Sequence, residues 1–378
     1  MKKIFTLRHI SQAIVLVAVF ILSLRHMNLG IEKAAPIDAF CPFGAVEGFW
    51  TYLVTGEYLR RINTSSFLLL GIVVALTLAF GRVFCGFFCP LGTLQEWLRG
   101  LGRKMGIKKD LELPASIDKY ARYLKYGVLA TIIYFSYKVG DLVFRNYDPY
   151  NALMHLGEEF EEKQVAYIIL AVVLFLALFA KSWWCRYFCP LGAALAIIRK
   201  ISPFKIVRNK ATCIGCHKCD RTCPANLPVE QEEVTDSADC VSCLRCVSDC
   251  PNSSLTAQVG KKKVSKKLIS IITIVAFAGL VGLAVASPYW QTKPESNLKT
   301  TTGAITTENI RGSNTLQYVI DQTGVPLEKF VHKLKLPKDV DTSLMLKEIG
   351  PKYDLKDESG AFLETEAFRE VITEVQGE

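Results

Sequence analysis

Histidine is scarce in this sequence, with five in 378 residues, and charge is almost missing from the centres of its long apolar runs. The first shortage argues against haem b, which needs a histidine pair facing the interior of a helix bundle. His9, His26 and His155 all fall at the ends of apolar runs or in loops. The second leaves no visible ion-pumping path, because ionisable groups inside a membrane are costly and mark such paths. Lys2 and Lys3 precede the first apolar run, but no small-residue cleavage site follows it, so a retained helix is expected rather than a removed signal peptide. Downstream of Trp290 there is no metal, nucleotide or catalytic constellation, and the one histidine there, His332, reads as a surface residue.

What is abundant is apolar. Half of the residues are hydrophobic and the mean hydropathy is +0.24. Five runs approach the roughly 20 residues that span a hydrocarbon core of about 30 Å: residues 10–27, 65–88, 120–139, 165–188 and 268–290. The expected fold is therefore mainly α, a protein of about five transmembrane helices. Basic loops stay in the cytoplasm. Residues 98–126 carry eight basic and three acidic residues, and 261–267 carry five lysines; these belong inside. Residues 141–164 carry two basic and six acidic, and 291–378 carry eleven basic and fifteen acidic; these belong outside. With 11 − 15 = −4 on residues 291–378, the rest of the chain carries +13 of the overall +9, and that charge sits in the inner loops. Topology and attraction to anionic lipid account for it without any nucleic-acid partner.

The membrane part repeats itself. GRVFCGFFCPLG at 81–92 matches KSWWCRYFCPLG at 181–192, one hundred positions on, and CPFGAV at 41–46 has a weaker echo in DPYNAL at 148–153. Both units start on the same side, so two parallel repeats are expected to pack about a pseudo-two-fold axis along the membrane normal.

Thirteen cysteines on an inward-facing pattern argue for metal rather than disulfides. Cys213, Cys216, Cys219 and Cys223 form a C-x2-C-x2-C-x3-C run before Pro224, and Cys240, Cys243, Cys246 and Cys250 repeat it before Pro251. The duplicated run is the bacterial ferredoxin pattern, in which the fourth cysteine serves the other cluster. It assigns Cys213, Cys216, Cys219 and Cys250 to one 4Fe-4S cluster and Cys240, Cys243, Cys246 and Cys223 to a second. Short gaps wrap the chain around a cubane and proline ends the wrap. A pair of zinc sites would need only four cysteines in two pairs, a poorer account of eight in this order. CIGCH at 213–217 matches a c-type haem attachment pattern, but the first run already uses both cysteines.

The two C-x3-C-P motifs carry a separate expectation. Residues i and i+4 share a helix face, so Cys85 with Cys89 and Cys185 with Cys189 each present two thiols at the inner membrane boundary before proline breaks the helix. If the repeats pack on their axis, four thiols converge, the ligand count of a third iron–sulfur cluster. A redox-active thiol pair, a copper(I) site suited to soft ligands, and plain helix packing are its rivals. Cys41 stands alone in DAFCPFG near the outer face, where the partner repeat has Asp148, and an outer redox role is the functional reading of it.

The domain expectation is a membrane domain of two two-helix repeats over 1–204, a cytoplasmic two-cluster ferredoxin-like module over 205–260, a fifth transmembrane helix over 261–292 and a small helical extracytoplasmic docking domain over 305–378. In the last, a helix start near 313–316, a stop at Gly324, a helix over 327–336 behind Pro326 and an amphipathic helix over 362–375 are expected.

Together, FCGFFCP, WCRYFCP and the two ferredoxin runs resemble the NapH/NosR-type family of membrane polyferredoxins over about residues 10–290. The resemblance implies electron transfer between a quinol pool, ferredoxin or flavoprotein donor and a protein acceptor. It also brings in relatives that look like reductases used in copper handling and oxidase assembly. NosR-like members carry an N-terminal flavin-binding domain, whereas nine residues precede the first run here. TGAITT at 302–307 only partly matches a flavin attachment motif, having Ile305 where a hydroxyl is expected, and reads as linker. A relay is favoured. A membrane reductase of quinone or copper ion, and an iron–sulfur sensor or assembly factor, are the alternatives, and no catalytic residue is assigned.

Overall fold

The computed structural model describes residues 7–33, 40–55, 64–139, 142–155, 163–290, 310, 312, 314–356 and 362–377. It forms two compact units, Met1–Pro294 and Glu295–Glu378.

The first unit opens with α1 (Leu7–Lys33), α2 (Pro42–Thr55) and α3 (Thr64–Phe80), followed by α4 (Val83–Phe87), α5 (Pro90–Lys104) and α6 (Ala115–Ala121). Next come α7 (Leu124–Val139), a 3-10 turn (Val143–Asn146), α8 (Pro149–His155), α9 (Gln164–Ala177), α10 (Trp183–Tyr187) and α11 (Pro190–Arg199). The repeat read from the sequence appears element by element: α3, α4 and α5 begin at 64, 83 and 90, and α9, α10 and α11 at 164, 183 and 190. The weaker echo also has a structural form, since α2 and α8 each start at the proline of C-P or D-P. Proline is suited to a helix's first position because its missing N–H is an orphan there.

Two helices among the described residues are long and apolar enough to cross a membrane, at Leu7–His26 and within α14 (Lys266–Ala286). The runs at 65–88 and 165–188, expected as single spans, are broken. Helix α3 has 17 residues, about 25 Å at the α-helical rise, which is short of a hydrocarbon core. It stops before Gly81, whose φ of +77° suits glycine, and α9 stops before Ser182 at φ +40°. Each C-x3-C pair therefore sits at a sharp bend, the first cysteine on a five-residue helix and the second capping the next helix.

Residues 204–264 fold as a four-stranded antiparallel sheet of order β2-β1-β3-β4: β1 (Phe204–Arg208), β2 (Val234–Thr235), β3 (Leu255–Val259) and β4 (Lys262–Val264). Between the strands lie α12 (Lys218–Thr222) and α13 (Arg245–Asp249). Ile206 pairs with Ala257 on one side and Thr235 on the other. Helix α14 follows the sheet, its N-cap Ser265 accepting from the Leu268 N–H at 3.2 Å. One hydrophobic cluster runs from Val73 and Leu76 of α3 through Phe84, Phe87 and Phe88 to Phe204, Ile206, Leu244 and Leu255 of the sheet region. The helices and the cysteine-rich sheet thus share a core.

The second unit contains α15 (Leu316–Thr323), α16 (Leu327–Lys333), α17 (Leu346–Lys352) and α18 (Thr365–Gly377) around Val319, Phe330, Ile349, Phe368 and Ile372. Thr315 caps α15, and Gly324 ends it at φ +71°. The start near 313–316, the glycine stop and the helix behind Pro326 agree with the sequence reading; α17 was not expected. The linker motif TGAITT lies outside the described residues.

Candidate metal centres

The cysteine-rich segment is built twice with an offset of 27 residues. Cysteines at 213, 216, 219 and 223 recur at 240, 243, 246 and 250, and α12 recurs as α13. The backbone repeats too. Left-handed residues Gly215, His217 and Asn226 correspond to Ser242, Leu244 and Ser253. Alternating hand turns successive N–H groups toward one concavity, a geometry suited to an anionic cluster.

The halves exchange their last cysteines. One cavity is lined by Cys213, Cys216 and Cys219 together with Cys250, beside Ile214, Pro251 and Leu255. The other is lined by Cys240, Cys243 and Cys246 together with Cys223, beside Ile206, Leu227 and Val229. No disulfide uses any of the thirteen cysteines. Burial pushes the Cys223 thiol up to about 12, with neighbouring Cys243 adding to it. Burial and Asp220 push Cys219 up to about 11. Buried thiols that resist ionisation alone and cluster in fours suit a metal centre that replaces their protons. The residues present fit iron–sulfur clusters.

The C-x3-C-P cysteines also come together. All six pairings among Cys85, Cys89, Cys185 and Cys189 are within electrostatic reach. Cys89 and Cys189 are the N-caps of α5 and α11, their sulfurs accepting from the Gly92 and Gly192 N–H groups at 3.4 and 3.2 Å. Gln95 of the first repeat donates Nε2–H to Cys185 Sγ of the second at 3.4 Å. Arg82, 2 % exposed, has Nη2 3.8 Å from Cys85 Sγ. A Cβ on residue 192 would lie 2.9 Å from that Nη2, so glycine there makes room for the guanidinium.

This thiol group abuts the second cysteine cavity. A pocket lined by Cys85 and Cys185 is lined also by Pro224, Ala225, Asp239 and Val241, which flank Cys223 and Cys240. A Cβ on Gly86 would lie 2.4 Å from the Val241 carbonyl oxygen and 3.3 Å from Cys243 Cα. Asp239 fixes the join: it pairs with Lys125, with Arg122 at 3.0 Å and with Arg82 at 3.9 Å. Burial alone would raise the Asp239 carboxyl, but Lys125, Arg82 and Arg122 hold it below the usual carboxylate range. Sequence reading missed Arg82 and Asp239. Their only signal is position, beside Cys85 and Cys240 respectively.

Cys41 is not among the four. It is buried with Phe43, Leu129 and Phe144, against Tyr150, Trp184 and Leu191, and it lines a cavity with Glu47 and Asp148. The sequence places it alone near the outer face of the proposed bilayer arrangement. Here α2 folds back so that Cys41 shares a hydrophobic cluster with residues flanking Cys185 and Cys189, and Tyr150 is within electrostatic reach of both Cys41 and Cys89.

Two cysteine quartets on a duplicated wrap define an iron–sulfur protein of ferredoxin type, and comparison with known proteins gives the same class. A 4Fe-4S binding domain model matches residues 62–108 and again 163–209, and a 4Fe-4S dicluster domain model matches 205–251. The first model thus falls on each of the two repeats separately. YccM of Escherichia coli K12, whose name places it in electron transport, is 30% identical over 274 residues, covering 69% of this chain and 76% of its own length. The ferredoxin-type protein NapH of Haemophilus influenzae is 32% identical over 46% of this chain and 59% of its own. The regulatory protein NosR of Pseudomonas aeruginosa is 34% identical over 42% of this chain but 22% of its own. No solved structure matches the chain significantly. The chain belongs to the NapH/NosR-type family of iron–sulfur electron-transport proteins.

Proposed function

We propose that the chain is a multi-pass membrane relay, passing electrons between a cytoplasmic or quinol donor and a membrane or extracytoplasmic acceptor. Cys213, Cys216, Cys219 and Cys250 hold one 4Fe-4S cluster, and Cys240, Cys243, Cys246 and Cys223 hold a second. Cys85, Cys89, Cys185 and Cys189 hold a further iron–sulfur cluster at the inner membrane boundary. When bound, these clusters supply reversible one-electron storage. The protein's part is to hold them close together: Gly86 admits the Val241 loop, and Asp239 ties that loop to Arg82, Arg122 and Lys125.

The pocket shared by Cys85 and Cys185 with Pro224, Ala225, Asp239 and Val241 carries this reading. It joins the membrane thiols to the second ferredoxin set rather than the first. In the proposed arrangement five helical segments cross the bilayer, those at 65–88 and 165–188 as bent spans. The N-terminus and residues 205–260 lie in the cytoplasm, and 305–378 form an extracytoplasmic docking domain. The basic loops at 98–126 and 261–267 support that orientation.

The test is iron and acid-labile sulfide per chain, with EPR of the reduced, anaerobically purified protein. More than about eight irons, falling to about eight when Cys85, Cys89, Cys185 and Cys189 are all changed to Ser, is expected; about eight in the unaltered chain removes the membrane cluster.

A further inference from the structure

A cavity of about 500 Å³ opens beside the second cysteine set and takes no part in the relay described above. It lies among α1, α5, the Lys181–Ser182 bend and the starts of the Cys223 loop and α13, and Cys223 and Pro224 form part of its wall. Its size is that of an ordinary ligand site, but its lining is not the usual apolar one. Arg99, Arg103, Lys104, Lys181, Arg221 and Arg245 face a single lining carboxylate, Glu96. That carboxylate is already engaged by Arg8 and, at 2.8 Å, by Arg245. Just outside the lining, Asp110 is shared by Arg99 at 2.6 Å, Arg103 at 3.1 Å and Lys181 at 3.2 Å. Two of these cations are deeply placed, Arg99 at 4% and Lys181 at 6% exposure. Lys181 also meets Glu112 at 3.3 Å, and Arg99 donates to the Leu178, Ile107 and Lys109 carbonyls, so the positive charge beyond these pairs is that of Lys104 and Arg221 at the open side, where an anion would be drawn. Trp97 and Leu101, both exposed on α5, add an apolar wall at the mouth.

We propose that this cavity binds a phosphate-bearing ligand whose phosphate meets Lys104, Arg103 and Arg221 and whose apolar or aromatic portion packs on Trp97 and Leu101, next to Cys223. Two sources share that chemistry, an anionic phospholipid headgroup with its glycerol and first methylenes, and a soluble phosphorylated aromatic such as a flavin mononucleotide. The cations and the tryptophan suit either, because guanidinium groups pair with phosphate and indole stacks on a ring or sits at a headgroup level.

The experiment uses the full chain, purified anaerobically into nanodiscs, and the double variant Lys104→Gln/Arg221→Gln, which alters exposed cations only. In zwitterionic lipid, flavin mononucleotide is titrated by its fluorescence quenching. In a second arm, native mass spectrometry counts phosphatidylglycerol retained from mixed-lipid discs. Saturable flavin binding that weakens about thirtyfold in the double variant supports the soluble source, at about one decade of affinity per 1.4 kcal/mol and roughly 1 kcal/mol per cation. Phosphatidylglycerol retained by the unaltered chain and lost from the double variant supports the lipid source. If neither probe binds, or both bind the double variant as they bind the unaltered chain, the proposal is overturned. Because both readouts are binding, they stand or fall separately from the number of clusters.

Discussion

Changing Gly86 to Ala should damage the second ferredoxin half and spare the first. The added Cβ would lie 2.4 Å from the Val241 carbonyl oxygen, against the 3.4 Å at which ordinary contact begins, so the loop must retreat by about 1 Å. The obstacle is backbone, so no side-chain rotation relieves it. Gly86 itself is held in place, its carbonyl accepting from Arg8 Nε at 2.7 Å. Overpacking of this kind costs about 1–3 kcal/mol. The cost should appear where the displaced loop carries Cys240 and Cys243, as a perturbed EPR signal from that set and loss of its visible absorbance at lower temperature. The signal from the Cys213 set should stay unchanged. Gly71→Ala is the control: nothing lies within 4 Å of that Cβ, and removing a helix-interior glycine should stabilise by up to about 1 kcal/mol. If Gly86→Ala behaves like Gly71→Ala in both spectra and thermal loss, the close join between the first repeat and the second set is wrong.

Asp239→Asn should release Lys125, Arg122 and Arg82 together, lowering stability by about 3 kcal/mol and exposing residues 205–264 to limited proteolysis; an unchanged cleavage pattern would count against the bridging role. Burial would raise the Glu96 carboxyl, but Arg8, and Arg245 after it, hold it at about 2, below an unfolded value of about 4.5. Its contribution, about 3 kcal/mol, is therefore full above pH 4.5 and disappears as pH falls toward 2. Denaturant unfolding of Glu96→Gln should lose that pH dependence, and an identical slope in both proteins would refute the assignment. Deleting residues 305–378 should leave the iron–sulfur spectra intact while slowing reduction of an extracytoplasmic acceptor in membranes; equal turnover would remove the docking role.

Much of the site was legible from spacing. Two cysteine runs of identical spacing, each followed by proline, pointed to crossed quartets, and the structure lines one cavity with Cys250 and the first run and another with Cys223 and the second. The hundred-residue offset likewise announced the matched helices from α3 to α11. What hydropathy could not reveal was where an apolar run bends. Residues 65–88 read as one span, but the single positive φ at Gly81 divides it, and a serine does the same at 182. The neighbours of Cys41 were also hidden, because a short proline-started helix reads alike whether or not it packs against α7 and α11, as α2 does. Helix α17 escaped notice because Pro351 lies inside it. The basic cavity is assembled from five distant stretches, and each of its cations looks like an ordinary surface charge in sequence.

The N-caps at Cys89 and Cys189 bear on how much negative charge the proposed third cluster could store. Each sits at the positive end of a helix, where aligned peptide dipoles act as roughly half a unit of positive charge. Arg82 adds a full one beside Cys85. A centre bound by four thiolates becomes more negative with every electron it receives, and in a poorly polarisable setting that added charge is expensive. The two helix ends and the guanidinium form a built-in counter-charge for it. In the proposed cluster at these four cysteines, an added electron would meet charge already in place rather than wait for a counter-ion from solution.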